Sequence, residues 1–243
     1  FFISIFSFYR SVIFIHEITH LQKGTFRLFR LAWNFLCGFP LMIPSFLYQG
    51  VHNDHHNVKL YGRDGDGEYF PFVDEGRSKI ISFTLVSFFV PVLFFVRFVF
   101  LTPLSYCNEK IRLLVLKKTS SLSIDLNYQR PRSSLNAVHM WEAQEVAACL
   151  YGWVFIFLIL EEIVPYKVFT LWFIILGVIF FINSLRTLAA HRYRFSGEEV
   201  IGISEQLLDS VNTPNSFLGV LWAPVGLRFH ATHHLIPEMP YHS

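Results

Sequence analysis

Eight of the eleven histidines fall into three compact boxes, His16-Glu17-Ile18-Thr19-His20, His52-Asn53-Asp54-His55-His56 and His230-Ala231-Thr232-His233-His234. Imidazole nitrogen suits iron, copper, zinc or nickel. A buried ring without a partner costs free energy in an apolar chain, so the boxes point to metal binding rather than packing. His16 and His20 are four residues apart, which on a helix places both rings on one face. In each HxxHH box the first histidine lies a turn before an adjacent pair. The rings of that pair diverge by about 100° on a helix and could serve different metals. One tetrahedral site takes three or four ligands, so eight imidazoles are too many for one metal and about right for two. Beyond these ligands, no catalytic side chain and no cofactor-binding motif is expected.

The surroundings are strongly apolar. Of 243 residues, 53% are hydrophobic, 16% are charged and 28 are phenylalanine, and the mean hydropathy is +0.42. Soluble domains carry more charge, so the class is an integral membrane protein. The net charge of +2 and the lack of a long basic run argue against a nucleic-acid partner. Cys37, Cys107 and Cys149 are too far apart for a disulfide framework or a CxxC metal site. The chain opens at Phe1, without methionine and inside an apolar run. This reads as a truncated N-terminus with part of a membrane helix upstream, not as a signal peptide.

The elements that carry the boxes follow from the apolar stretches. Phe1 to Ile15 reads as the end of a spanning helix, and Leu31 to Val51 is interrupted by Gly38, Pro40 and Pro44. Ile80 to Leu104 is broken by Pro91, Arg97 and Pro103, whereas Val146–Val164 and Lys167–Leu185 can each cross a bilayer that needs about 20 helical residues. Boxes that share a site must lie on one side of the membrane, so an even number of crossings separates them. Leu31 to Val51 then takes a re-entrant or interfacial path. Ile80 to Leu104, with two prolines and an arginine, is assigned to the interface. The last two stretches form a hairpin with Glu161 and Glu162 at its far turn. Arg77, Lys79, the basic 110–132 segment, Arg186, Arg192 and Arg194 gather on the histidine side, which the positive-inside bias makes cytoplasmic. The expected fold is an all-α integral membrane protein, one domain over residues 1–243, with transmembrane helices under a cytosolic histidine-rich cap.

The order HxxxH, HxxHH, HxxHH over a hydrophobic chain resembles the membrane fatty-acid desaturase and hydroxylase superfamily, from His16 to His242. The resemblance implies two iron ions on the cytosolic face, held by His16, His20, His52, His55, His56, His230, His233 and His234. His191, at the end of Asn183-Ser184-Leu185-Arg186-Thr187-Leu188-Ala189-Ala190-His191, stands where members carry an extra ligand. It further implies dioxygen as co-substrate and a lipid acyl substrate oxidised at an unactivated C–H bond. Electrons would come from a separate donor of the cytochrome b5 or ferredoxin type. Desaturation is the favoured reaction, because the Arg186-to-His191 stretch and the Leu227-Arg228-Phe229-His230 lead-in look most like acyl-lipid desaturases. Hydroxylation or ketolation of a lipid or carotenoid is the alternative. Soluble di-iron enzymes use several Glu-x-x-His pairs, and this chain has one, Glu17 to His20.

Each ligating imidazole must be neutral, with its other nitrogen on an acceptor. Glu17, Asp54, Glu205 and Asp209 are candidates for that role. Asn183 could act through water, although an interhelical hydrogen bond suits it better. The phenylalanine-rich helices could line an acyl tunnel. Asp64, Asp66 and Glu68 read as a solvated turn, His139 as a surface or interface residue, and His242 as a non-ligand. Two rival functions stand beside the oxidase. His16-Glu17-Ile18-Thr19-His20 also satisfies HExxH, the motif of an intramembrane zinc metalloprotease with Glu17 as general base and a third ligand from Asp64 or Asp66. It leaves boxes two and three unexplained. A metal-binding receptor or carrier has the same surplus of ligands.

Overall fold

The computed structural model describes residues 1–22, 24–70, 77–125, 127–131, 138–195, 197 and 199–239, apart from the side chains of residues 77 and 138–140. Those residues form helices and turns with no β-strand among them. His242 and the side chain of His139 lie outside the described residues.

Helix α1 (Phe2–His20) ends on the first box, and α2 (Arg27–Trp33) runs into a π-helical turn at Asn34–Gly38. The chain between them and box two is re-entrant, as its Gly and Pro residues predict. Arg30 Nη2 donates to the Leu21 carbonyl at 2.7 Å, just past the first box. The chain then descends to Pro40, whose carbonyl accepts the Trp172 indole N–H at 2.9 Å. A continuing helix would have satisfied that carbonyl from residue 44, which is proline and has no N–H. Asn34 and Ser45 close the neck of the loop, with Asn34 Nδ2 donating to Ser45 Oγ at 2.9 Å and the Ser45 N–H to Asn34 Oδ1 at 2.8 Å. Buried Arg130 clamps the returning strand of chain, donating to the carbonyls of Phe46, Leu47 and Gln49 at 2.7–2.9 Å. Short helix α3 (Val51–His55) follows and carries box two.

Helix α4 (Arg77–Ser87) leads into one continuous apolar rod, α5 (Val90–Val96), a π-helical turn at Arg97–Leu101 and α6 (Thr102–Cys107). Amphipathic α7 (Glu109–Lys118), capped by the Asn108 side chain, precedes the two long helices α8 (Val138–Leu160) and α9 (Tyr166–Ala190). Four stretches are long and apolar enough to cross a membrane, namely Phe2–His20, Val90–Cys107, Trp141–Leu160 and Tyr166–Ala190. Trp153, Val154 and Phe157 of α8 and Leu171 of α9 point outward, as an integral membrane fold requires.

The Val90–Cys107 rod departs from the expected interfacial position, because it is wedged between α8 and α9. The whole stretch from α4 to α6 nevertheless begins and ends toward the histidine end of those helices. Ser87 Oγ donates to Ser184 Oγ at 3.1 Å, while at the other end Tyr106 Oη donates to Glu145 near the start of α8. Its middle reaches deeper, with Phe95 packed on Phe169 and Trp172 at ring separations of 5.5 and 6.0 Å. The segment thus enters and returns on one side, which keeps the number of crossings between boxes even.

The features that argued for an interface are absorbed locally. Pro91 occupies the first turn of its helix, where no N–H is required. Pro103 cannot donate to the Val99 carbonyl four residues back, and the Trp153 indole N–H fills that place at 3.1 Å. Arg97 is paired with Glu145 at 2.6 Å. The last elements, α10 (Ile203–Asp209), α11 (Phe217–Trp222) and α12 (His230–Leu235), lie against α1 and the end of α9, with Tyr9 Oη donating to the Trp222 carbonyl at 2.9 Å and the Val211 N–H to the Ala190 carbonyl at 2.8 Å.

Candidate metal centre

Four short pieces of backbone bring nine histidines together. The last turn of α1 supplies His16 and His20, α3 supplies His52 and His55 with His56 just after it, the residue after α9 is His191, and α12 supplies His230, His233 and His234. His191 is held in place by a two-way exchange with the end of α10. The Arg192 N–H donates to the Asp209 carbonyl at 2.7 Å and the Val211 N–H to the Ala190 carbonyl at 2.8 Å.

The rings sort into two groups whose donor atoms lie within 4.8 Å of one another, His16, His20, His52 and His233 in one, His55, His191, His230 and His234 in the other. The divergence expected of an adjacent pair is realised in box three, where His233 turns to the first group and His234 to the second. In box two, His52 and His55 divide between the groups. His56 belongs to neither. Its ring lies between them, 4.6 Å from His52 and His233 and 4.5 Å from His234, centre to centre.

Carboxylates fix the orientation of several rings. His55 Nδ1–H donates to both oxygens of Asp66 at 2.9 and 3.0 Å, and His52 Nδ1–H donates to Glu68, with Tyr48 Oη 3.1 Å from the same nitrogen. His191 Nδ1 meets Tyr61 Oη at 2.9 Å, and that hydroxyl donates to Asp209 at 2.9 Å. His16 Nδ1 is 3.3 Å from Glu17. Rings that donate from Nδ1 present a lone pair at Nε2. Yet His52 Nε2 lies 3.1 Å from His56 Nε2 and 3.4 Å from His233 Nε2, and His191 Nε2 lies 2.8 Å from His230 Nε2. Such close approaches are satisfied by a proton shared between two rings or by a cation among them. The buried nitrogens His16 Nε2 and His20 Nε2 have no hydrogen-bond partner, as metal ligands would not. The donor set therefore fits two metals.

The protonation states agree. Burial first, and neighbouring imidazoles second, hold His52 and His234 well below the ordinary histidine range. His56 and His233 are lowered in the same way. Burial lowers His191 to about 4 against the opposing pull of Asp209. These rings are neutral at physiological pH and free to ligate. At His55 burial is outweighed by Asp66, whose charge and hydrogen bonds raise it. Burial pushes Glu68 up to about 7.

The supporting shell differs from the sequence reading at several points. Asp66 and Glu68 do not form a solvated turn. Asp66 is buried, and the turn folds back onto α3 because the N–H groups of Gly62 and Glu68 both donate to Asp66 at 2.9 Å. Glu17 lies 3.3 Å from His16 Nδ1 and Asp209 lies 3.7 Å from His191 Nδ1. Asp54 instead accepts from Tyr128 Oη at 3.4 Å, since its place on α3 turns it away from the rings. Glu205 caps the N-terminus of its own helix. Asn183 accepts from Arg186 of the same helix at 3.3 Å, not from a neighbouring helix. Tyr48 and Tyr61 were not foreseen. No local spacing marks them, because both reach the site through tertiary folding.

Replacing Asp66 with asparagine puts an amide where three donors converge. Metal affinity of the His55 group should fall about 10- to 100-fold with the other group little changed, which chelator competition would resolve. Equal loss at both groups, or none, would contradict the assignment of Asp66 to His55.

A cavity of about 360 Å³ opens from the histidines, which contribute His16, His52, His55, His191 and His230 to its wall. It continues between apolar side chains that include Val90, Leu93, Phe94, Ile179 and Phe180. That lining suits an apolar ligand.

The family model described as fatty acid desaturase matches residues 1–243. A curated protein of Caulobacter vibrioides, described as a ceramide hydroxylase, is 38% identical over 242 residues, covering 99% of this chain and 68% of its own length. No solved structure matches significantly.

Proposed function

Because the chain belongs to the fatty acid desaturase family, we propose that this enzyme of the membrane desaturase and hydroxylase superfamily is a lipid hydroxylase. The observation that carries the reading is the pair of histidine groups at the end of an apolar cavity. The choice of hydroxylation over the desaturation that the boxes suggested is supported by the 38% identity to a ceramide hydroxylase. The whole of residues 1–243 is taken as one catalytic membrane domain.

In this reading His16, His20, His52 and His233 hold one iron, and His55, His191, His230 and His234 hold the other, with His56 between them. Bound there, iron would supply dioxygen activation and hydrogen abstraction from an unactivated C–H bond. The protein does the rest. Asp66, Glu68, Tyr61 and Asp209 keep the imidazoles in the ligating tautomer, and the apolar wall excludes water and positions the chain. The electrons come from a separate donor of the cytochrome b5 or ferredoxin type. The basic residues on the histidine side, opposite Glu161 and Glu162, support a cytoplasmic site.

The metalloprotease reading is not favoured. Asp66, one of its two candidate third ligands, is committed to His55, Glu17 faces His16 Nδ1, and boxes two and three stay unexplained by it. Lipid profiling of cells expressing the full-length protein tests the proposal. A product heavier by one oxygen atom is expected; a product lighter by two hydrogens would return the enzyme to the desaturases.

A further inference from the structure

We infer that Arg186 reads the substrate, binding an oxygen acceptor, a carbonyl or carboxylate, that the lipid carries within a few bonds of the carbon presented to the histidines. The inference rests on the lipid-oxidation reading above and adds a chemical class to it.

One face of α9 lines the cavity and changes character along its length. Ile179 and Phe180 are apolar, whereas Asn183, Ser184, Arg186 and Thr187, the two turns before His191, are polar. A tunnel for a plain hydrocarbon would have no use for that belt, because each polar group at this depth needs a partner. Its hydroxyls and amide are neutral, so the guanidinium is the one charged group on this part of the helix.

Arg186 is half-buried, and the two fully buried arginines are matched. Arg97, which also borders the cavity, is paired with Glu145, and Arg130 is saturated by backbone carbonyls. Arg186 makes no salt bridge among the described residues, with Nε donating to Asn183 Oδ1 at 3.3 Å and Nη2 to Thr187 Oγ1 at 2.8 Å, the Tyr9 hydroxyl also within reach, and Glu68 on the same cavity wall near enough to feel its charge. A guanidinium has five N–H donors and so keeps several to offer. Its fork suits a carbonyl or carboxylate better than a lone ammonium would.

Position along the helix then limits where the lipid is oxidised. Arg186 precedes His191 by five residues, about 7.5 Å of helical rise. Ile179 and Phe180 lie beyond it, away from His191. A lipid whose oxygen rests on Arg186 offers a carbon near its polar end to the histidines, and its tail runs along the apolar wall. Oxidation falls near the head of the chain rather than at its middle or methyl end.

The test uses binding, not turnover. A fluorescent alkane is displaced from the purified, metal-loaded full chain, without reductant, by three probes of equal chain length, an N-alkyl fatty amide, the free fatty acid and the n-alkane. The wild type should favour the amide or the acid over the alkane by about tenfold or more, as a hydrogen bond to a charged group allows. A preference for the amide identifies a neutral carbonyl, and a preference for the acid identifies an anionic one. Arg186→Gln should reduce the advantage to about twofold or less while the alkane still binds. If Arg186→Gln no longer binds the fluorescent alkane, Arg186→Lys is read in its place and should show an intermediate advantage. A wild type without preference, or a variant that keeps it in full, overturns the inference. Neither outcome bears on whether the product is hydroxylated, which the lipid profile decides separately.

Discussion

Replacing His55 with alanine is expected to lower the metal bound per chain from about two to about one and to reduce lipid oxidation by more than about 100-fold. His55 is 1% exposed and belongs to the group completed by His191, His230 and His234. Its ring is locked by Asp66 through Nδ1, which leaves Nε2 as the ligating atom. Alanine removes that atom and leaves the Asp66 carboxylate buried without its principal partner. Loss of one ligand from four exceeds the loss of an orienting acceptor, for which about 10- to 100-fold is typical, so the effect should surpass that of Asp66→Asn. Metal analysis of purified protein and product analysis of expressing cells read the two quantities independently. Full activity with two metals retained would remove His55 from the centre.

The second large effect is on stability. Glu145 of α8 joins Arg97 of the re-entrant rod at 2.6 Å and Arg112 of α7 at 2.6 Å, with Arg97 and Glu145 almost wholly buried. Arg97 is further held by Thr102 Oγ1 and the Thr119 carbonyl at 2.7 and 3.1 Å. Glu145→Ala leaves the Arg97 guanidinium buried without a counter-charge, and such a loss costs about 3–5 kcal/mol. Thermal unfolding in detergent should show it as a markedly lower midpoint. The double variant Arg97→Met, Glu145→Leu should recover most of the loss, because an apolar pair suits this depth. A cost for Glu145→Ala of about 1 kcal/mol or less, the scale of an exposed ion pair, would show that the network does not hold the rod in place.

These two expectations divide along the line between local and tertiary information. The histidine donors, their suitability for metal binding and the membrane class were legible in the chain, because they depend on residue type and on spacings within one helical turn. The His16–His20 and HxxHH spacings fix which rings can share a face wherever the helices go. Crossing parity was legible as well, since it needs only the order of boxes and apolar stretches. Both interrupted segments do return to the side they left.

Other features were settled only when separate elements met. Proline and arginine suggested an interfacial Ile80–Leu104, whereas the rod is inserted, because Trp153 supplies the donor that Pro103 lacks and Glu145 neutralises Arg97. Those partners lie tens of residues away, and no local pattern announces them. The carboxylates that orient the rings followed the same rule. Asp54 is adjacent to two histidines in sequence but is turned from them by the helix, while Asp66 and Glu68 reach them by folding a turn back. The sequence by itself determined the histidine donors, the helical faces they can share and the membrane class. The tertiary structure alone decided how eight of the nine rings divide into two groups, which acids orient them and which side chains line the cavity. Ligand spacing is a property of a single helix, whereas hydrogen-bond partners and cavity walls are properties of contacts between distant segments.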